Sequence, residues 1–332
     1  MIKINVCPST LAEGFDTYSP TARKLLFEGK AVSPYFDGLS PNMDSIEAKE
    51  SIENVGRISL SGVQAKFSVV INDDLHLRFA RQNEQGTYIL KPRPNGYHLL
   101  NKEYCAANEH LTMQIASQVY GIETAANGLC FFENDETAYL TRRFDIYPDG
   151  KHLQEDFAAL LGYTKANGGS DYKYCNASYE DCAEVIRQNV KAAAIDLVRF
   201  FRLVLFNFIS LNDDAHLKNF SLLNTGQEYR LSPAYDLVNT SLHLVQPRIF
   251  ALDKGLFREG MKLTDTRTVC KSDFEDFGKR IGLPEKVITR EITRFTDNNP
   301  KVQNLIDHSF LSEDLKKQYK QSTDYRRSML LE

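Results

Sequence analysis

Alternation of apolar and polar positions dominates the first half of the chain. Lys66-Phe67-Ser68-Val69-Val70-Ile71 is β-branched and aromatic, and Asn72-Asp73-Asp74 turns it into a second alternating run, Leu75 to Phe79. Tyr88-Ile89-Leu90-Lys91 predicts a third strand, stopped by Pro92 and Pro94. Gly128 to Phe132 and Thr137 to Thr141 predict two more, joined by the turn Glu133-Asn134-Asp135. Between them, Asn101 to Tyr120 has helical period, with Leu111, Ile115 and Val119 on one face and Gly121 as a C-cap. Ser19-Pro20 predicts the start of a short helix. From about residue 152 the period becomes helical. Ala192 to Leu211 is the most apolar stretch, but Asp196, Arg199 and Arg202 interrupt it, which predicts a core helix and not a membrane span. Gly162 to Ser178, with Gly168-Gly169, predicts an exposed loop, and Lys271 to Glu332 a charged helical tail. Strands first and helices second predict an α+β fold of two lobes with a ligand cleft between them. The boundary falls at 145/146: a β-rich lobe over 1–145 and an α-helical lobe over 146–332.

Composition narrows the partners. The chain has 332 residues, 42% hydrophobic and 25% charged, which is ordinary globular usage. A net charge of −4 argues against nucleic acid as the main partner. None of the six cysteines forms a C-x-x-C pair, so a zinc site has no anchor; reduced thiols of a cytoplasmic protein are expected. The first ten residues lack the apolar core of a signal peptide.

The densest polar run is Asn212-Asp213-Asp214-Ala215-His216-Leu217-Lys218-Asn219, set between the apolar helix and the strand-like Ser221-Leu222-Leu223. Asp214 and Asn219 stand five apart, the spacing of a kinase catalytic loop, where an Asp orients the attacking hydroxyl and an Asn holds a metal. Asp236, seventeen residues after Asn219, is a candidate second metal ligand. Two oxygen ligands that leave other positions to water and phosphate suit Mg²⁺. Asp214 also reads as a turn or cap carboxylate, and His216 as a structural histidine. Upstream, Gly56 to Lys66 has the small residues that let backbone N–H groups approach phosphate; a hairpin turn is the plainer reading. Lys91, at the end of its strand, sits where a kinase small lobe places its phosphate-pairing lysine, with Glu109 in the following helix as ion-pair partner. In a kinase, Thr141 to Asp145 would be the hinge whose backbone bonds adenine; an ordinary strand end with surface charges is the plainer reading.

These motifs resemble the HipA family of bacterial serine/threonine kinase toxins. Ser-Leu-Ser-Gly-Val-Gln-Ala-Lys ending at Lys66, Tyr-Ile-Leu-Lys-Pro, Arg-Arg-Phe-Asp, Leu-Gln-Glu-Asp ending at Asp156, Asn-Asp-Asp-Ala-His-Leu-Lys-Asn-Phe-Ser and Leu-Ser-Pro-Ala-Tyr-Asp carry the resemblance, from about residue 55 onward. The roughly 55 residues before Ser59 and the Ser59-x-Ser61 doublet resemble the short HipT type of three-component toxin–antitoxin systems, with Leu60 where an Ile is expected.

The resemblance implies ATP and Mg²⁺ as cofactors. It makes Asp214 the catalytic aspartate, Asn219 and Asp236 the metal ligands, and Lys91 the partner of the α/β-phosphates. It places adenine at the backbone around Arg142 and Phe144. Gln154 and Asp156 line the nucleotide pocket, Gly62, Gln64 and Lys66 belong to the phosphate loop, and His216 and Lys218 shape the catalytic loop. Ser59 and Ser61 match autophosphorylated serines. Implied partners are a small HipS-like antitoxin, a HipB-like helix-turn-helix protein and an aminoacyl-tRNA synthetase substrate, tryptophanyl rather than glutamyl. Two other classes stay open: a catalytically weak scaffold in an antitoxin–DNA repressor complex, and a metal hydrolase built on Asp213, Asp214 and His216.

Overall fold

The computed structural model describes residues 3–41, 64–96, 98–148, 150–174, 176–226, 228–263 and 268–331. The loop bearing Ser59, Ser61 and Gly62 lies outside them.

A curled, antiparallel five-stranded sheet organises the first half. Its strands are β1 (Phe67–Ile71), β2 (Leu77–Phe79), β3 (Tyr88–Lys91), β4 (Asn127–Phe131) and β5 (Thr137–Arg142), in the order β2-β1-β3-β5-β4. The turn after β1 closes as its composition predicts: Asn72 Oδ1 accepts from the His76 N–H, and Leu75 takes the left-handed conformation at φ 61°.

Side-chain alternation splits the sheet into two faces. Cys130, Ala138 and Leu140 pack against α1 (Pro20–Phe27), whose Leu26 and Phe27 complete that cluster. Ser19 Oγ accepts the Ala22 N–H and Pro20 opens this helix, as expected. The other face, with Leu129, Phe131 and Tyr139, packs against α2 (Cys105–Gln118). Here the structure departs from the one-sided helix that periodicity predicted. Asn108, Glu109, His110, Thr112 and Gln114 are buried along with Leu111 and Ile115, because the sheet covers one side of α2 and helices of the second half cover the other.

Strands persist later than predicted. The hairpin of β6 (Ile146–Tyr147) and β7 (Gly150–Lys151) comes first. A three-stranded sheet follows, with β9 (Ser221–Asn224) between β8 (Gln154–Asp156) and β10 (Tyr229–Leu231). Helices α3 (Phe157–Leu160), α4 (Lys165–Gly168), α5 (Tyr179–Asn189) and α6 (Ala193–Ile209) lie between β8 and β9 in the chain. After β10 come α7 (Lys271–Arg280), α8 (Glu285–Thr296), α9 (Pro300–Asp307) and α10 (Glu313–Ser328). The charges inside α6 are satisfied, as a core helix requires. Asp196 accepts from Arg199 and from the Leu231 N–H, and Arg202 pairs with Glu291. No helix among the described residues is long and apolar enough to cross a membrane. Residues 162–178 are not simply an exposed loop: Tyr174 is 2% exposed and joins the main core.

Burying α2 on both sides has a measurable consequence. His110 Nε2 bonds the Ser9 carbonyl inside the core, and burial lowers its imidazole to about 4. The unfolded chain takes up a proton near pH 6.5, whereas the folded chain refuses it until near pH 4. His110 therefore removes stability as pH falls through that window and has no effect above it. In urea titrations at pH 7.5 and 5, the stability lost by wild type on acidification should exceed that lost by His110→Gln by roughly 2 kcal/mol. Equal losses would refute the assignment.

Candidate active site

Helix α6 ends in a Schellman motif that launches the polar run. The Asn212 N–H bonds the Asn207 carbonyl at 2.9 Å and the Leu211 N–H bonds Phe208 at 3.2 Å. Leu211, where glycine is usual, sits at φ 53°, a strained conformation for a branched side chain. Its carbonyl is held by both the N–H and the Oγ1 of Thr240, from the segment after Asp236. Asn212 spans to the same segment: its Nδ2 bonds the Asn207 side chain and the Asp236 carbonyl. The loop and the Asp236 turn therefore brace each other.

Asp214 and Asn219 meet as their spacing predicts. Asn219 Nδ2 donates to the Asp214 carbonyl at 2.8 Å, which orients its Oδ1 away from that bond. Asp214 Oδ1 accepts from the Tyr174 hydroxyl at 2.6 Å. His216 lies beneath the loop, edge-on to Tyr174, with Nε2 4.0 Å from Asp214 Oδ1. Burial lowers the His216 imidazole to about 4, so it is neutral at physiological pH.

Lys91 is the buried centre of charge. Its Nζ contacts Glu109 Oε1 at 2.6 Å and Asp236 Oδ1 at 2.5 Å, with the Tyr139 ring centroid 5.2 Å away. Burial alone would lower the ammonium, but Asp236 and Glu109 hold it above its ordinary value. Burial raises the Glu109 carboxyl to about 7, and the second negative charge of Asp236 helps offset the pull of Lys91. Asp236 is partly buried, yet the ammonium groups of Lys91 and Lys66 hold it well below the usual carboxylate range. Lys66 Nζ reaches the other oxygen, Oδ2, at 3.1 Å.

A cavity of about 290 Å³ opens beside this cluster. Eight of the residues singled out from sequence line it: Lys66, Lys91, Arg142, Phe144, Gln154, Asp156, Lys218 and Asp236. Tyr235 also lines it, with its ring 5.7 Å from that of Phe144 and its hydroxyl on Ser221, which Gln154 bonds as well. Asp156 Oδ1 caps α3 through the Ala159 N–H, and its Oδ2 stands 3.9 Å from Lys218 Nζ. Gln64 bonds the Pro92 carbonyl. The Arg142 and Arg143 N–H groups are committed to the Ala126 and Thr87 carbonyls. His216 does not line the cavity.

Two contributors escaped the sequence reading. Tyr174 came from a stretch read as loop. Asn108, one residue before Glu109, gives its Nδ2 to the Asn239 carbonyl and to His243 Nε2, and its Oδ1 accepts the Asn239 N–H. Asn239 in turn bonds Ser322 of α10, whose Tyr319 meets Thr112 of α2. No apolar period announces such a network.

Residues 58–302 match the family model described as the HipA-like C-terminal domain. This chain belongs to that family. A Haemophilus influenzae protein named "Putative kinase" is 30% identical over 271 residues, covering 76% of each chain. The serine/threonine-protein kinase toxin HipA of Shewanella oneidensis is 25% identical over 264 residues, 74% of this chain and 56% of that one. The chain thus spans just over half the length of that toxin. The solved complex of Shewanella oneidensis HipA with HipB and operator DNA contains a chain similar in fold, with a TM-score of 0.63 at 22% identity over 89% of this chain and 74% of that one. The family matches make this HipA-like chain a kinase homologue and leave the short HipT type to the proposal below.

In this HipA-like site, removing the central ammonium leaves two buried carboxylates facing each other. Lys91→Met should lose about 3–5 kcal/mol of stability at pH 8, where Glu109 is ionised. The loss should shrink at pH 6, because a carboxyl already raised to about 7 then takes a proton and the repulsion relaxes. Thermal melts of both proteins at the two pH values check this; an equal or larger deficit at pH 6 would count against it.

Proposed function

We propose that this chain is the toxin of a toxin–antitoxin system, an ATP- and Mg²⁺-dependent serine/threonine protein kinase of the short HipT type. The observation that carries the reading is Lys91, buried between Glu109 and Asp236 and lining a cavity that Lys218 of the Asp214–Asn219 loop also lines. Burial of a lysine is costly unless its charge is used. A kinase uses this arrangement to hold a lysine ready for the α/β-phosphates.

The donor set fits a hard cation. Asn219 presents an amide oxygen and Asp236 a carboxylate, and no group of three or more His, Cys, Asp or Glu side chains suited to a metal occurs among the described residues. Such a pair suits Mg²⁺ that completes its shell with water and nucleotide phosphate, and argues against a resident hydrolase metal. Bound there, Mg²⁺ would neutralise charge on the phosphates.

In this reading the chain's own groups divide the work. Lys91 and Lys66 hold phosphate oxygens, and Phe144 and Tyr235 flank the base. A substrate serine or threonine oxygen attacks the γ-phosphorus while the bond from that phosphorus to the β–γ bridging oxygen breaks. The hydroxyl proton passes to Asp214, and ADP departs. Ser59 or Ser61 is the substrate of self-modification, which places ~1.5–2 negative charges beside the phosphate site and weakens ATP binding. The external substrate is an aminoacyl-tRNA synthetase, tryptophanyl before glutamyl. Likeness to the Shewanella complex of HipA with HipB and operator DNA supports a HipB-like DNA-binding partner; the small HipS-like antitoxin and a cytoplasmic setting rest on the HipT-type resemblance alone.

Intact-mass spectrometry after incubation with Mg-ATP tests the reading. Wild type should gain one or two phosphates, mapped to Ser59 or Ser61, and Asp214→Asn should lose at least about a hundredfold of that rate. A wild type that binds ATP and gains no phosphate would point to the scaffold instead.

A further inference from the structure

The stretch 170–179 supports the catalytic loop from below. The Lys173 carbonyl accepts the Leu217 N–H at 3.1 Å, and the Tyr179 hydroxyl donates to the Ala215 carbonyl at 3.0 Å. Between these backbone ties, the Tyr174 hydroxyl contacts a catalytic side chain, Asp214 Oδ1, at 2.6 Å. That distance is typical of a hydroxyl donating to a carboxylate. Tyr174 is itself held firmly. Its N–H bonds Asp171, its carbonyl accepts the Asp253 N–H, and its ring packs edge-on to His216 at 5.0 Å.

We infer that Tyr174 is a positioning residue, whose hydrogen bond sets the plane of the Asp214 carboxylate against the substrate hydroxyl. This rests on the role given to Asp214 above. The physical argument concerns torsion. Rotation of a carboxylate about its last bond is broad and nearly two-fold, so packing alone fixes it poorly. One short bond from an immobile phenol to Oδ1 fixes the direction of Oδ2 as well. Phosphoryl transfer draws its rate from such alignment. A tyrosine that served only to satisfy its own buried hydroxyl would affect stability and leave alignment alone.

Tyr18 supplies the control, since its fully buried hydroxyl donates at the same 2.6 Å to the Leu129 carbonyl of β4, away from the Asp214 loop. The experiment compares wild type, Tyr174→Phe, Tyr18→Phe and Asp214→Asn. It follows incorporation of radioactive phosphate from Mg-ATP into the chain itself, as maximal rate and ATP KM, together with melting temperature. Tyr174→Phe should lower the maximal rate by about 10- to 100-fold while ATP KM stays within about twofold. Tyr18→Phe should show a similar fall in melting temperature with a rate within about threefold of wild type. The inference is overturned if Tyr174→Phe keeps the wild-type rate, or if both variants lose rate in step with their melting temperatures. A wild type that incorporates no phosphate, or one matched by Asp214→Asn, overturns the kinase reading and the inference with it.

Discussion

The buried ammonium of Lys91 is the constraint on which the rest of the structure turns. A lone charge at 3% exposure would be expelled or neutralised, so the fold must deliver opposite charge to it from two directions. Glu109 comes from α2 and Asp236 from the segment after β10, while Lys91 ends β3. Two neighbouring elements and one far along the chain thus meet at one nitrogen. The unusual burial of α2 follows from this. A helix that must press Glu109 against the sheet and also take support from the second half has no side left for water. Its buried polar side chains therefore bond to other parts of the fold, with Asn108 on Asn239, His110 on Ser9 and Thr112 on Tyr319.

The same logic explains the backbone strain. Leu211 and Asp236 both hold positive φ, one at the start of the Asp214–Asn219 loop and one at the Lys91 ion pair. Conformations of that kind cost of order 1–3 kcal/mol and persist only where surroundings over-determine them. Here each supports the other. Thr240 bonds Leu211, Asn212 bonds the Asp236 carbonyl, and the parallel bridge of Thr124 with Ala234 ties the approach to Asp236 to the strand entering β4. The two loops cannot shift separately. For a reaction whose chemistry asks chiefly for alignment and charge, such cross-bracing is the useful property.

What the sequence displayed follows from the same physics. Strands β1 to β5 were legible because a sheet with two covered faces needs apolar residues at regular spacing, and Pro92 and Asn72 punctuate it sharply. The Asp214–Asn219 spacing was legible because both ends of the loop carry polar side chains between two apolar elements. Glu109 was picked out as the partner of Lys91, although nothing in the period of α2 marks it. Tyr174 was missed because its neighbours Gly168-Gly169 and Asp171 compose like solvent-exposed loop; only the distant Asp214 gives that tyrosine a reason to be buried. Strand β8 was missed for a similar reason. Gln154-Glu155-Asp156 has no apolar alternation, and it is a strand because Ser221 to Leu223 of β9 pairs with it. Local pattern reports what a segment buries and is silent on what distant backbone it bonds.

If the chain binds ATP with Mg²⁺ as proposed, the charge balance around Lys91 constrains how they enter. In the structure both oxygens of Asp236 are met by lysines, Lys91 on one and Lys66 on the other. Those are the cations that nucleotide phosphates would recruit. Phosphates arriving alone would draw Lys66, the more exposed of the two, away from Asp236 and set one negative group against another in a partly dry cavity. A divalent cation arriving with the phosphates would replace the lost positive charge at Asp236 while Lys91 keeps its bond to Glu109. Nucleotide and cation should therefore enter as a unit. Glu109 is the anchor that lets Lys91 change partners without leaving its place.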